Sequence, residues 1–226
     1  MESQPFDRNS ISRRYLSAPR LPGDGPVDVR TLLATPSVEI EIEIGSGRGG
    51  FLLERLASRE DVGLVAFEIK RKWATLVNER LERAGLSGRC RVFADDARSA
   101  LARLQPSGAI AAAFFHFPDP WWKKRHQKRR LITPALLDEI ARLLRSGGEL
   151  FVQTDVEERA LLYEMQIASH SAFKPRGDQA GSARVAENPY AARSHRERRA
   201  VADALPIFRL RYARKPRTVS ASSVPR

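Results

Sequence analysis

The sequence predicts a doubly wound α/β fold, with a mostly parallel sheet and helices on both of its faces. Short apolar segments alternate with longer mixed segments through the middle of the chain, a pattern typical of βαβ units. A glycine-rich turn follows the first apolar segment, as in Rossmann-like sheets. The chain has 226 residues, 42% of them apolar and 29% charged, so it can bury one sizeable core and is neither disordered nor fibrous.

Five strands and five helices are predicted in alternation. The first strand, 38–44, rests on a strict alternation of Val or Ile with Glu, although a central parallel strand is normally apolar on both faces. We therefore expect one of its faces to be solvated, or to be paired near the strand end. The other predicted strands are 63–69, 90–94, 109–117 and 149–154, with a last candidate at 207–212. The predicted helices are 51–57, 71–84, 98–104, 134–144 and 157–168.

The helix at 134–144 has the clearest boundaries. Thr133 is a typical N-cap residue, and Pro134 suits the first helical turn because its missing N–H has no partner there. Gly147 and Gly148 follow the helix and are expected to close it.

The chain divides into three segments. Residues 1–37 are polar and contain five prolines without a sustained period, which predicts a loosely ordered N-terminal lead-in. Residues 38–214 form the predicted domain, and residues 215–226 a basic, serine-rich tail. Within the domain, residues 175–193 are rich in Gly, Ala, Asn and Arg, and we expect a mobile loop there.

The net charge is the most informative property of the chain as a whole. Lys and Arg number 39 against 27 Asp and Glu, giving a formal net charge of +12 that favours a polyanionic partner. The single cysteine, Cys90, excludes an internal disulfide. The longest apolar run, 109–115, is far shorter than the ~20 residues of a membrane-spanning helix. With no signal-peptide stretch near the N-terminus, these features predict a cytoplasmic protein without a membrane partner.

The glycine-rich turn is the first candidate site. Gly45, Gly47 and Gly50 fit the G-x-G-x-x-G pattern of dinucleotide enzymes, so that class stays open. Glu43, just before the turn, would repel a pyrophosphate and favours a cationic ligand group. The sulfonium and amine of S-adenosylmethionine supply such a group.

Acidic residues follow successive predicted strands. Glu68 stands 23 residues after Gly45, where a ribose-binding acid is expected. Asp95 and Asp96 end the third strand, in position to meet an adenine amine, and Asp119 follows the fourth. Because ligands of open α/β sheets bind at the carboxyl ends of the strands, these acids are candidate site residues.

A basic run follows at 123–130, with six Lys or Arg in eight residues. Beside a catalytic edge it is best explained as a phosphate clamp for nucleic acid. A solvated charged loop is the alternative.

Several motifs together resemble the bacterial tRNA (guanine-N7)-methyltransferase family, a class I S-adenosylmethionine-dependent group. They are E-I-G-S-G-R-G at 43–49, F-E-I at 67–69, F-P-D-P-W at 117–121, K-K-R-H-Q-K-R-R at 123–130 and T-D at 154–155. The resemblance implies a methyltransferase sheet, S-adenosylmethionine as cofactor and tRNA as partner. It extends from about residue 38 to residue 214.

The resemblance also implies roles for individual residues. Asp119 matches the family's proposed catalytic position and one of its cofactor contacts. The other implied cofactor contacts are Glu43, Gly45, Gly47, Glu68 and Asp96. The implied substrate contacts are Lys123, Asp155, Ser194 and Glu197, the last two from S-H-R-E at 194–197 in place of the family's T-x-x-E. The implied RNA contacts are Arg125, Lys128, Arg129 and Arg130.

The chemistry of guanine N7 agrees with the residue types. N7 carries an in-plane lone pair and attacks a sulfonium methyl without first losing a proton, so we expect no metal, and the four histidines show no ligand spacing. Carboxylates such as Asp119 and Asp155 would stabilise the positive charge that develops on the purine. Two alternatives stay open, a methyltransferase acting on an exocyclic amine of a base and a non-catalytic RNA-binding protein with a degenerate methyltransferase fold. The sequence is compatible with a monomer or a homodimer.

Overall fold

A computed structural model describes residues 17–36, 39–118 and 131–217 of the chain. Its strands are β1 (Val27–Asp28), β2 (Glu39–Ile44), β3 (Val62–Phe67), β4 (Cys90–Phe93), β5 (Leu104–Gln105), β6 (Ile110–His116), β7 (Leu144–Thr154), β8 (Phe173–Pro175), β9 (Arg184–Val185) and β10 (Phe208–Arg214). The α-helices are α1 (Gly50–Ser58), α2 (Arg71–Arg83), α3 (Ala97–Arg103), α4 (Pro134–Leu143), α5 (Glu157–Ala168) and α6 (His195–Ala202). A short 3₁₀ helix spans Val29–Leu32.

The central sheet is mostly parallel, as predicted. Its order is β4-β3-β2-β6-β7-β10-β8, and β9 pairs with β10. Strands β4, β3, β2, β6 and β7 run parallel, whereas β10 is antiparallel to β7, β8 and β9. The five predicted strands and five predicted helices are all present, and β10 confirms the last candidate strand. Most ends shift by no more than two residues, but β7 begins at Leu144, well before its predicted start at residue 149. The expectation that Gly147 and Gly148 close the helix is wrong, because α4 ends at Leu143 with Leu144 as its C-cap and both glycines lie within β7.

Helices cover both faces of this sheet. Ile40, Ile42 and Ile44 of β2 share one core cluster with Leu136 and Ile140 of α4. On the opposite face, Leu64 and Ala66 of β3 pack with side chains of α1 and α2, namely Leu52, Leu56, Ala74, Val77 and Leu81. The doubly wound architecture is therefore confirmed. No α-helix in the described ranges is both long and apolar enough to span a bilayer.

The acidic face of β2 is buried, so the expectation of a solvated face is wrong. Glu41 and Glu43 are 2% and 1% exposed. Glu41 receives two hydrogen bonds from the Arg55 guanidinium on α1, at 2.9 and 2.6 Å, and Glu43 contacts His116 on β6. Each carboxylate is tolerated in the interior because a cationic or hydrogen-bonding partner faces it. The alternative of a paired face is the correct one.

Two segments expected to be irregular are packed on the domain. In residues 17–36, β1 pairs with β5 and Val29 is fully buried in the core. In the predicted loop 175–193, β9 pairs with β10, and Val185 and Ala192 pack with Tyr190 in a third cluster. Composition alone does not predict these contacts, because the contacting residues are distant in sequence. The division into lead-in, domain and tail stays a prediction for residues 1–16, 37–38 and 218–226, which lie outside the described ranges.

Candidate active site

The glycine-rich turn connects β2 to α1 through left-handed backbone. Gly45 and Gly47 have φ of 81° and 52°, and a Cβ added at either would meet no atom within 4 Å. Gly49 has φ of 69°, and a Cβ there would lie 2.5 Å from Val77 Cγ1. Gly49 is thus required for both backbone conformation and packing of the turn on α2, while Gly45 and Gly47 leave room for a ligand beside the backbone.

Glu68, just after β3, holds this turn in place. One of its carboxylate oxygens accepts a hydrogen bond from the Gly47 N–H at 2.9 Å, and the other accepts one from the Lys70 N–H at 2.8 Å. Glu68 is 7% exposed. A carboxylate offers about four acceptor positions, so two stay available for a ligand hydroxyl.

A cavity of about 410 Å³ opens next to Glu68. Its polar lining includes Glu68, Asp95 and Asp96, and its apolar walls come from Ile44, Phe67, Ile69 and Leu131. Apolar walls with a few carboxylates suit a flat heteroaromatic ring and a sugar whose donors face the acids. The carboxyl ends of β2, β3 and β4 therefore carry a nucleoside-sized site.

The two aspartates of this cavity are held by different parts of the chain. Asp96 caps α3 by accepting from the Arg98 N–H at 3.0 Å. The side-chain hydrogen bond from Arg98 lowers the pKa of the Asp96 carboxyl, so Asp96 is an anionic acceptor at neutral pH. Asp95 accepts from the Leu21 N–H at 2.7 Å, which ties the N-terminal segment to the edge of the cavity.

Glu43 precedes the turn on β2, and its two carboxylate oxygens differ in their surroundings. Its Oε1 lies 2.7 Å from His116 Nδ1. Its Oε2 is buried and has no hydrogen-bond partner among the described residues. A buried carboxylate oxygen without a partner is costly, and a cationic or N–H-bearing ligand would satisfy it.

The end of β6 has a strained backbone where it approaches the site. Phe117 has φ of 53°, unusual for a residue with a side chain, and its N–H donates to the Gln153 carbonyl at 2.7 Å. Tyr163 of α5 donates to the Pro118 carbonyl at 3.3 Å. Such strain is often found at functional sites, where surrounding contacts maintain it. The residues predicted beyond this point, Asp119, Lys123, Arg125, Lys128, Arg129 and Arg130, lie outside the described ranges.

Ser194 and Glu197 form the start of α6. The Ser194 hydroxyl accepts from the Glu197 N–H at 3.1 Å, which makes Ser194 the N-cap. Glu197 is fully buried. Its carboxylate accepts hydrogen bonds from Asn188 at 2.9 Å, Gln153 at 3.0 Å and Arg209 at 3.2 Å. In this structure Ser194 caps α6, and Glu197 anchors the helix to β7 and β10.

The N-terminal end of α6 also reaches two parts of the site. Arg196 forms an ion pair with Asp155, just after β7. His195 Nε2 lies 3.2 Å from a guanidinium nitrogen of Arg48 in the glycine turn. Asp155, Ser194 and Glu197 therefore form one group near α6, whereas Gly45, Glu68 and Asp96 surround the cavity.

Sequence reasoning missed several residues of this region. The S-x-x-E pattern at 194–197 is a helix-start signal and could have predicted α6. By contrast, no local signal indicates that His116, Gln153 and Arg209 face Glu43 and Glu197. In the described part of the chain, no group of three or more His, Cys, Asp or Glu side chains is placed to hold a metal ion.

Comparison with known proteins places this fold among the methyltransferases. A family model described as "Putative methyltransferase" matches residues 37–210. A tRNA (guanine-N(7)-)-methyltransferase of Myxococcus xanthus is 36% identical over 172 residues, covering 76% of this chain and 82% of its own length. One of Thermosynechococcus vestitus is 30% identical over 192 residues, covering 84% of this chain and 88% of its own. The chain therefore belongs to the tRNA (guanine-N7)-methyltransferase family, as its motifs predict.

Solved structures support the same fold. The 16S rRNA methyltransferase KamB superposes with a TM-score of 0.57 at 13% identity, covering 95% of this chain and 97% of its own. A putative methyltransferase of Streptococcus mutans, solved in complex with SAH, superposes with a TM-score of 0.51 at 14% identity, covering 95% of this chain and 99% of its own. At such identities the likeness shows the fold alone.

Proposed function

We propose that this chain transfers a methyl group from S-adenosylmethionine to N7 of a guanine in the variable loop of tRNA. The observation that carries the proposal is the acid-lined cavity beside the glycine turn, in a chain that belongs to this enzyme family. S-adenosylmethionine supplies a methyl group on a positively charged sulfonium. The residues of the chain bind and orient it.

The cavity assigns a part of the cofactor to each acid. Glu68 would accept the ribose hydroxyls with the acceptor positions that the turn leaves open. Asp96 would accept from the adenine amine, since its carboxylate is anionic and lines the cavity. Glu43 would face the cationic end of the cofactor with its unpartnered Oε2. Gly45 and Gly47 would allow the close approach of backbone and ligand.

Catalysis would depend mainly on positioning and charge. The N7 lone pair attacks without prior deprotonation, so the carboxylates of Asp119 and Asp155 stabilise the positive charge that grows on the purine. Asp119 directly follows Pro118, which comes after β6, and the carboxyl end of β6 lies at the same edge of the sheet as that of the parallel strand β2. Asp155 forms an ion pair with Arg196. A bound base would therefore either share the Asp155 carboxylate with the Arg196 guanidinium or displace the guanidinium from it.

Tests of the function start from product identity. Purified protein, labelled S-adenosylmethionine and unmodified bulk tRNA should yield labelled 7-methylguanine on nucleoside analysis. That product is cationic and alkali-labile, whereas a base methylated on an exocyclic amine is neither. An N-methylated exocyclic amine would favour the first alternative, and cofactor-independent RNA binding without transfer would favour the second.

Replacing Glu68 with alanine should weaken cofactor binding by ~1–3 kcal/mol, because ligand hydroxyls lose their acceptor. Calorimetry with S-adenosylhomocysteine measures the loss. Since Glu68 also holds Gly47 and Lys70, an analogue without ribose hydroxyls separates the two roles. It should bind the wild type more weakly than S-adenosylhomocysteine, whereas Glu68→Ala should bind the two equally. Undiminished affinity in Glu68→Ala would remove Glu68 from the cofactor site.

The basic run gives a second prediction, on RNA. Changing Lys124, Arg125, Arg129 and Arg130 together to glutamine should weaken tRNA binding and lower its log–log salt slope by up to ~0.7–0.9 for each phosphate that is no longer neutralised. Cofactor affinity should not change. Lys174→Gln with Lys215→Gln is the control, since both residues are exposed and lie at the β8 edge of the sheet. If the quadruple variant behaves like this control, the run is a solvated loop.

A further inference from the structure

A row of polar side chains crosses the sheet beneath the candidate site. Glu43 pairs with Phe114 across β2 and β6, His116 pairs with Gln153 across β6 and β7, and Gln153 pairs with Arg209 across β7 and β10. Because side chains alternate along strands, Glu43, His116, Gln153 and Arg209 all project from the same face. Glu43, His116 and Gln153 of this polar row are buried, and Arg209 is partly exposed. Glu43 contacts His116, and Gln153 and Arg209 donate to Glu197. Between these two groups, His116 Nε2 and Gln153 Oε1 have no hydrogen-bond partner among the described residues.

The contact between Glu43 and His116 is the innermost link of the row. Glu43 Oε1 and His116 Nδ1 are 2.7 Å apart, and the two side chains are 1% and 2% exposed. With Glu43 ionised, the proton of this hydrogen bond resides on Nδ1, so His116 donates and Glu43 accepts. Shielding from water makes such a charge-assisted bond stronger than a surface one.

Aromatic rings fix the orientation of His116. Its ring centroid lies 4.2 Å from that of Phe51, 5.9 Å from Phe114 and 6.1 Å from Phe151. Phe51 belongs to the first turn of α1, directly after the glycine turn, so the same helix that closes the turn holds the imidazole. The donor nitrogen is therefore positioned before any ligand arrives.

The bond to His116 occupies one oxygen of the Glu43 carboxylate. Oε2 is buried and has no partner among the described residues, and Glu43 stands two residues before Gly45, where the turn opens. We propose that His116 is a positioning residue, which holds Glu43 Oε1 so that Oε2 receives the α-amino group of the cofactor's amino-acid moiety. The inference rests on the proposed cofactor and adds a residue whose task is to orient Glu43.

The test compares two ligands that differ in this moiety. S-adenosylhomocysteine carries the α-amino group, whereas 5′-methylthioadenosine keeps the nucleoside and lacks it. In His116→Leu, affinity for S-adenosylhomocysteine should fall about tenfold, the size of one charged hydrogen bond, while affinity for 5′-methylthioadenosine stays the same. His116→Asn, with an amide N–H close to the position of Nδ1, should restore most of the loss.

Two further variants complete the design. In a Glu43→Gln background, His116→Leu should cause no additional loss, since the residue acts through the Glu43 carboxylate. His170→Leu is the control for a histidine–carboxylate contact outside the site, because His170 lies 3.0 Å from Asp138 at the protein surface. It should leave the ratio of the two affinities unchanged.

Each outcome is decisive. If His116→Leu leaves the ratio of the two affinities unchanged, whether both fall equally or neither falls, the positioning role is overturned and His116 is a packing residue only. A wild-type protein that binds 5′-methylthioadenosine but gains nothing from the amino-acid moiety would overturn this inference alone. A wild-type protein that binds neither ligand would overturn the proposed cofactor as well.

Discussion

Asp119→Asn is expected to slow the methyl-transfer step by at least ~10²-fold, comparable to the loss of one preorganised electrostatic group. Asparagine keeps the size and much of the hydrogen-bonding capacity of aspartate but removes the negative charge. The purine becomes cationic as N7 gains the methyl group, so loss of the carboxylate raises the free energy of the transition state more than that of the bound substrate. tRNA binding should be retained.

Single-turnover rates at saturating cofactor are the appropriate measurement, because they separate the chemical step from weaker cofactor binding. Asp155→Asn is the comparison, since Asp155 stands after the neighbouring strand and is already paired with Arg196. We expect a smaller effect there. A near-wild-type rate in Asp119→Asn would make Asp119 structural and transfer the electrostatic role to Asp155.

Glu41→Leu is expected to lower the free energy of unfolding by ~3–5 kcal/mol, the usual cost of leaving one charge of a buried pair without its partner. Glu41 and Arg55 are 2% and 8% exposed and share two hydrogen bonds. That decrease is a large part of the ~5–15 kcal/mol of a typical domain. Urea denaturation at fixed pH and salt measures it.

The double variant Glu41→Leu with Arg55→Met tests whether the charge is the cause. With both ionic groups replaced by apolar ones of similar volume, most of the stability should return. Arg55 also lies over the Tyr190 ring, with 5.2 Å from its guanidinium carbon to the ring centroid, so a small decrease should persist. A decrease below ~1 kcal/mol in Glu41→Leu, the range of an exposed pair, would contradict the burial of this contact.

The sequence predicts the core of the fold because its signals are local. Alternation, apolar runs and the N-cap of α4 are signals within single elements, and the parallel pairing of β4, β3, β2, β6 and β7 agrees with repeated βαβ units. The glycine turn and the acids after β3 and β4 are local too. This is why the residues around the cavity, such as Gly45, Glu68 and Asp96, could be predicted.

Long-range partners account for what the sequence does not reveal. The alternation of Ile and Glu in β2 suggests a solvent-exposed face. The partners that allow the acids to be buried are distant in sequence, since Arg55 lies 14 residues from Glu41 and His116 lies 73 residues from Glu43. The segment around β9 has a loop-like composition, yet it packs Val185 against the sheet. Neither contact leaves a periodic trace in the sequence.

The most direct test of the proposed function is to identify the atom that accepts the methyl group. Two transcripts of one tRNA should be compared, one with guanine and one with 7-deazaguanine, in which C–H replaces N7. Labelled S-adenosylmethionine should transfer its methyl group to the first transcript and leave the second unlabelled. Equal labelling of both would show that the enzyme methylates another atom and would contradict the assignment to N7.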